Sequence, residues 1–166
     1  MYDLTDPKII SMLKRRFKFE FSKSLGQNFI IDKDLCPQIA ALAIPSPKTC
    51  VVEIGPGVGV LTKELAKRCE KLVSVEIDKS LLPILAETLK EADNVEVIND
   101  DILKVDLKSL LDEHFGEKDV VICANLPYYI TSPIVMKLLE ERDKRVRNIT
   151  VMVQKEAGER ICAPIP

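Results

Sequence analysis

From Cys50 onward the chain alternates short, mostly apolar runs with segments whose apolar residues recur every three or four positions. The runs Cys50–Ile54, Leu72–Ile77, Val95–Asn99, Asp119–Ala124 and Asn148–Gln154 have the length and composition of strands in a buried sheet. Between them, Gly59–Cys69, Ser80–Glu91, Leu107–Glu113 and Ser132–Glu140 carry helical periodicity. Strands separated by crossover helices predict an α/β fold, a doubly wound and mainly parallel sheet of Rossmann-like type with helices on both faces. Upstream, Asp32–Ala43 predicts a short helix with Leu35, Ile39 and Leu42 on its apolar side, and Pro45-Ser46-Pro47 breaks the chain after it. Residues 1–24 are polar and basic, with one apolar run too short to fix a fold. They are read as a basic segment, disordered or folding on binding, ahead of a domain spanning 25–166. No internal repeat or low-complexity tract interrupts the pattern.

At 166 residues the chain holds one domain with a sizeable core and is too short for two comfortable ones. Hydrophobic residues make up 46% and charged residues 30%, as in ordinary water-soluble domains. No apolar run approaches a membrane span, and the charged N-terminus lacks the apolar core of a signal peptide. Cys36, Cys50, Cys69, Cys123 and Cys162 are scattered without a CxxC pair, which reads as reduced thiols in a cytoplasmic protein. One histidine, His114, and no Cys/His cluster argue against a zinc site, so no metal is expected. The net charge of −2 does not advertise a nucleic-acid partner, but its distribution is uneven. Lys8, Lys14, Arg15, Arg16, Lys18 and Lys23 face only Asp3, Asp6 and Glu20 over the first 23 positions, and Arg142, Lys144, Arg145 and Arg147 form a second basic cluster. Either patch can meet phosphates, and either can be a solvated surface.

In doubly wound sheets, ligands bind beyond the carboxyl ends of the strands, so informative residues should follow the strands. They do. The first strand runs into Glu53-Ile54-Gly55-Pro56-Gly57-Val58-Gly59, a turn that brings backbone close to a ligand. The spacing is G-x-G-x-G rather than the G-x-G-x-x-G of nicotinamide binders, and no G-K-[ST] follows. With Glu53 before it, the turn fits the E-x-G-x-G pattern of methyltransferases better. The second strand ends in Val75-Glu76-Ile77-Asp78, and Glu76 lies where a carboxylate accepts from both ribose hydroxyls of a nucleoside. After the third strand come Asp100-Asp101-Ile102, where a carboxylate accepts from an adenine amine and the Ile102 N–H donates to the ring. Turn, ribose acid and adenine acid in that order predict an adenosine-containing cofactor.

The fourth strand leads into Asn125-Leu126-Pro127-Tyr128-Tyr129. Attack by an adenine amine on a sulfonium methyl needs alignment and acceptors aimed at the amine hydrogens more than it needs a strong base. The Asn125 side chain and a backbone carbonyl held by Pro127 can supply those acceptors, and Tyr128 can stack on a flipped-out base. Ser24-Leu25-Gly26-Gln27-Asn28-Phe29, Glu53–Thr62, Glu76, Asp100-Asp101-Ile102, Asn125 through Pro133, and Val153-Gln154-Lys155-Glu156 with Glu159-Arg160 together resemble the KsgA-type family of ribosomal RNA adenine dimethyltransferases. The match covers nearly the whole chain in the family's order.

The resemblance implies a class I S-adenosylmethionine-dependent methyltransferase. It makes N6,N6-dimethyladenine at two adjacent adenines near the 3′ end of small-subunit rRNA, in an assembling ribosomal particle. By position, Asn28 and the Ile30 backbone close over the methionine end of the cofactor. Gly55 and Gly57 approach it, Glu76 and Ile77 hold the ribose side, and Asp101 and Ile102 hold the adenine. Asn125 lies between cofactor and target amine, Leu126 and Pro127 supply backbone, and Tyr128 stacks. The basic N-terminal segment would touch RNA. The resemblance also implies that the chain is a fragment lacking the last two strands and a helical C-terminal domain. The strand 148–154 would then be an exposed apolar edge prone to self-association. The nearest rival is the Erm-type large-subunit rRNA adenine methyltransferase, which shares the pocket; Gly55-Pro56-Gly57, Leu126 and Tyr129 favour the KsgA type. DNA adenine and protein glutamine methyltransferases more typically carry D-P-P-Y or N-P-P-Y, against Leu126. A non-catalytic assembly factor on the same fold and a nicotinamide oxidoreductase are the readings from other classes.

Overall fold

Five parallel strands form one sheet in the order β3-β2-β1-β4-β5. They are β1 (Cys50–Ile54), β2 (Leu72–Glu76), β3 (Val95–Asn99), β4 (Val120–Asn125) and β5 (Val146–Met152). The computed structural model describes residues 2–20, 30 and 32–164. The chain builds outward from β1 to β3, then crosses back to place β4 on the other side of β1. That reversal between β1 and β4 is the topological switch point, where neighbouring connections leave in opposite directions and open a crevice.

β1 and β2 are buried along their whole length and β4 as far as Ala124, whereas edge strands β3 and β5 are buried only in part. Alternate residues of each strand serve opposite faces. Val52, Val75, Ile122 and Ala124 pack with Leu107, Leu110, Leu111 and Phe115 of α5 (Leu107–Phe115), and with Ile134 and Leu138 of α6 (Thr131–Glu140). On the other face, Val51, Val121 and Cys123 meet Cys36, Ala40 and Ala43 of α2 (Leu35–Ala43), and Leu61 and Leu65 of α3 (Val60–Ala66). Leu42, expected on the buried side of α2, is 76% exposed. In the run Leu35-Cys-Pro-Gln-Ile-Ala-Ala-Leu-Ala, nearly every position is apolar and periodicity cannot choose a stripe. The small Ala40 and Ala43, both fully buried, face the sheet instead.

The reading of the N-terminal segment as disordered or folding on binding is corrected as far as Glu20. Pro7–Phe17 is a helix, α1, started by Asp6, whose side chain accepts from the Lys8 N–H at 2.8 Å, and by Pro7 in the first turn. It ends at Lys18, left-handed at φ 51°, with the Phe19 N–H closing on the Lys14 carbonyl at 3.0 Å. Ile10 and Leu13 of α1, with Leu4 and Phe19, bury against Ile84, Leu85 and Leu89, of α4 (Leu82–Thr88) and its end. The short apolar run is one helix face, enough to dock a helix that capping alone would leave marginal. Past β5, α7 (Lys155–Ile161) buries only Ala157, which is why no periodicity announced it.

A candidate active site at the sheet's carboxyl edge

A cleft opens at the carboxyl ends of β1, β2 and β4, at the switch point. Its floor is the turn after β1. Gly55 and Gly57 sit at φ 69° and 60°, and a side chain on either would meet nothing within 4 Å, so the absent Cβ atoms leave open space beside the cleft. Gly59 answers to packing as well: at φ 93°, its Cβ would lie 3.1 Å from Leu89 Cδ2 and 3.3 Å from Thr88 Oγ1. Gly59→Ala is expected to lower the unfolding free energy by about 2 kcal/mol in urea titration, from left-handed strain plus that crowding. An unchanged midpoint would contradict this account of the turn.

Glu76 ends β2 with 4% of its surface exposed. Its Oε1 accepts from the Asp78 N–H at 2.8 Å and its Oε2 from the Gly57 N–H at 3.3 Å, so one carboxylate ties β2 to the glycine turn. Burial pushes its pKa up to about 6, against the pull of those two donors. Its backbone carbonyl accepts from Asn99 Nδ2 at 2.7 Å and the Asp100 N–H at 3.1 Å, which fixes the end of β3 beside it. Asp101 follows, its Oδ1 accepting from the Leu103 N–H at 3.0 Å, and Ile102 is buried next to it.

On the far wall, Asn125 ends β4 and the Leu126 N–H bonds the Met152 carbonyl of β5 at 3.0 Å. The Pro127 carbonyl accepts twice, from the Ile130 N–H at 3.2 Å and Thr131 Oγ1 at 3.0 Å, fastening the loop to the start of α6. No hydrogen bond among the described residues occupies the Leu126 carbonyl.

Beneath the turn lies Glu53, 1% exposed. Its Oε2 accepts from Ser74 Oγ at 2.7 Å, while Oε1 and the nearby Thr62 Oγ1 have no hydrogen-bond partner. Burial pushes this carboxyl up to about 7. The native state therefore holds its proton longer than the unfolded chain does, so its contribution is intact below pH 4.5 and is lost as pH rises toward about 7. For Glu53→Gln, the stability advantage over the parent should grow across that window to on the order of 3 kcal/mol and be absent below it. Parallel stability–pH curves from urea titrations would show that this acid is ionised without cost.

Of the residues expected at the site, Ile30, Gly55, Gly57, Glu76, Ile77, Asp101, Ile102, Asn125, Leu126 and Pro127 all line this one cleft. Asn28 lies outside the described residues. Tyr128 is half exposed and not on the wall, whereas Tyr129, expected only as a family marker, is. The wall also includes Asp100, Leu81 and Ile130, which the motifs did not single out as site members. The second basic cluster is elsewhere. Arg145 is 5% exposed and bonds Asp143, Asp112 and the Gly116 carbonyl; Arg147 pairs with Asp119 and Lys144 with Glu117. These groups sit at the amino ends of β4 and β5, opposite the cleft, and their charges are internally matched.

A family model described as ribosomal RNA adenine dimethylase matches residues 18–165. The chain belongs to this family. Ribosomal RNA small subunit methyltransferase A of Alkaliphilus oremlandii is 48% identical over 160 residues, which is 96% of this chain and 55% of the relative. The chain thus spans about half the length of the curated relatives it matches. Among solved structures, the 23S rRNA methyltransferase ErmE superposes with a TM-score of 0.69 at 34% identity, covering 80% of this chain and 50% of that one. A dimethyladenosine transferase from Plasmodium falciparum gives 0.64 at 29% identity, over 81% and 46%. The switch-point sheet is therefore the family's fold, and the cleft sits where that fold puts its ligand.

Proposed function

We propose that this chain is the cofactor-binding half of an enzyme that methylates the N6 amino groups of two adjacent adenines near the 3′ end of small-subunit rRNA, giving N6,N6-dimethyladenine, during ribosome assembly in the cytoplasm. The observation that carries the reading is convergence: Glu76, Asp101 and Asn125, from the ends of three different strands, face one cleft floored by a glycine turn.

The residues present fit S-adenosylmethionine. Gly55 and Gly57 leave the floor open, Glu76 offers a buried carboxylate, and Glu53 Oε1 is a buried acceptor with no partner. The bound cofactor supplies an electrophilic methyl group. Glu76 accepts the ribose hydroxyls, with Ile77 beside it. Asp101 accepts the adenine amine, and the Ile102 N–H donates to the ring. Ile30 covers the methionine end. The target amine is oriented by the Asn125 side chain and by the carbonyl of Leu126, because the Pro127 carbonyl is already committed to Ile130 and Thr131. Pro127 keeps that acceptor rigid, and the half-exposed Tyr128 offers a stacking surface to the extruded base.

The test is transfer of labelled methyl to small ribosomal subunits lacking the modification, by this chain and by a version extended to the length of the curated relatives. Label in small-subunit rRNA adenines supports the reading. The match to ErmE favours one alternative, large-subunit rRNA, and label confined to large subunits would select it. No helix among the described residues is long and apolar enough to cross a membrane.

The β5 edge bears on partners. β5 pairs with β4 on one side and with no other strand among the described residues, and Ile149 and Val151 are only partly buried. Self-association of this chain through residues 148–154 is the expected consequence. Light scattering should show dimers at high concentration, reduced by Thr150→Pro; a clean monomer would contradict it.

A further inference from the structure

The loop after β4 breaks a local rule with no compensating burial. The Ile130 N–H closes on the Pro127 carbonyl at 3.2 Å, so residues 127–130 form a β-turn with Tyr128 and Tyr129 at its two central positions. Such positions usually carry glycine, asparagine, aspartate or serine, whose small or self-bonding side chains favour the bend. Tyrosine favours an extended strand instead. Neither ring is packed away: Tyr128 is 49% exposed and Tyr129 54%. Single exposed apolar side chains are ordinary. These two, however, are the only exposed aromatic residues among the described ones, and they are consecutive. Residues that go against local preference without improving the packing belong to functional sites.

The turn that carries them is anchored. Thr131 Oγ1 donates to the same Pro127 carbonyl at 3.0 Å, Thr131 is itself buried, and Ile134 beyond it packs into the core. A tyrosine has only two side-chain torsions to fix, so rings on a fixed turn offer contact area at small entropic cost. The two rings do not stand alike. Tyr129 lines the cleft beside Asn125, Pro127 and Ile130, and Tyr128 does not.

We infer that Tyr129 is a second substrate-positioning residue, its ring stacking on the base next to the adenine being methylated while Tyr128 stacks on the target. The inference rests on the RNA reading above and deepens it by giving the neighbouring base a place. Every base has a flat π-face, so a tyrosine ring holds a neighbour without reading its identity. With two adjacent adenines to treat, a shift of the strand by one nucleotide carries an adenine from one ring to the other.

The experiment uses short single-stranded RNAs with the small-subunit 3′-terminal sequence, in which fluorescent 2-aminopurine replaces the adenine before or after its partner. The remaining adenine keeps the amine that the cleft holds and takes the target place. Emission and anisotropy are followed as this chain is added in the presence of S-adenosylhomocysteine. At saturation, stacking on Tyr129 should quench the 2-aminopurine of at least one arrangement. Tyr129→Leu should bind roughly 5- to 100-fold more weakly, the worth of one stacked base, and lose the quench even when saturated. Tyr129→Phe keeps the ring and should match the parent. Tyr128→Leu should bind more weakly yet keep the quench at saturation. Thermal melting and S-adenosylhomocysteine titration of each variant confirm that the fold and the cofactor side are intact. A Tyr129→Leu protein with the parent's affinity and quench, or a parent that binds RNA without any quench, overturns the role of Tyr129 and leaves the proposed function standing. A parent that binds S-adenosylhomocysteine but no RNA overturns both.

Discussion

Replacing Asn125 by alanine should abolish methyl transfer in a version extended to the curated relatives' length, by at least about a thousandfold, while S-adenosylmethionine affinity stays within about tenfold. An adenine amine is a weak nucleophile because its lone pair is shared with the ring, so the barrier is lowered by holding it in line and accepting its hydrogens as charge develops. Two acceptors are proposed for that position at β4's exit: the Asn125 side chain and the Leu126 carbonyl, which no hydrogen bond among the described residues occupies. Alanine removes one and leaves the other, along with the whole of the ribose and adenine side of the cleft. The loss therefore falls on turnover and not on cofactor binding. Substantial turnover by the variant would take Asn125 out of that role.

Glu76→Gln should weaken S-adenosylmethionine binding by about a hundredfold, the worth of one to two charge-assisted hydrogen bonds. Both oxygens of the native carboxylate already accept backbone N–H groups, from Gly57 and Asp78. An amide offers one oxygen, so its NH2 must oppose one of those donors as well as fail a ribose hydroxyl. The same group makes binding depend on pH. With its pKa raised to about 6 by burial, the carboxylate is present above that value and protonated below it, so affinity should be flat at neutral pH and fall as pH drops through about 6. The Gln variant should lose that fall. Affinity within threefold of the parent, or an unaltered acid limb, would show that the ribose contact lies elsewhere.

Most of the sheet is legible in the sequence because its central strands are buried on both faces and read as unbroken apolar runs. β1 and β3 coincide with the expected runs, β2 ends one position earlier than expected, and β4 is shifted by one position. The edge strand β5 slid by two, since a half-exposed strand has no sharp apolar boundary. Helices fared according to how much apolar contrast they carry. α5 and α6 alternate clearly, whereas α2 is apolar nearly all round and α7 is polar nearly all round. α1 was missed as an ordered element because its docking partner, Leu85 and its neighbours on α4, lies some seventy positions away, beyond any local window.

The cleft residues were visible because the fold places them directly after strands, where glycine, acid and Asn-Leu-Pro stand out from apolar surroundings. What local reading could not settle was depth. Glu53 and Glu76 look alike in sequence, one at the penultimate and one at the last position of a strand, yet only Glu53 is left with a buried oxygen that nothing satisfies. Nor could it distinguish Arg145 and Arg147, matched by Asp112, Asp143 and Asp119, from Lys8, Arg15 and Lys18, which make no ion pair among the described residues.

A sulfonium nucleoside is expected to occupy the switch-point cleft. Isothermal titration of the purified chain with S-adenosylmethionine and, separately, with S-adenosylhomocysteine tests it most directly. One site per chain for each ligand, with heat that disappears when Glu76 is changed, is the predicted result. A chain that melts as a folded protein yet takes up neither compound would contradict it.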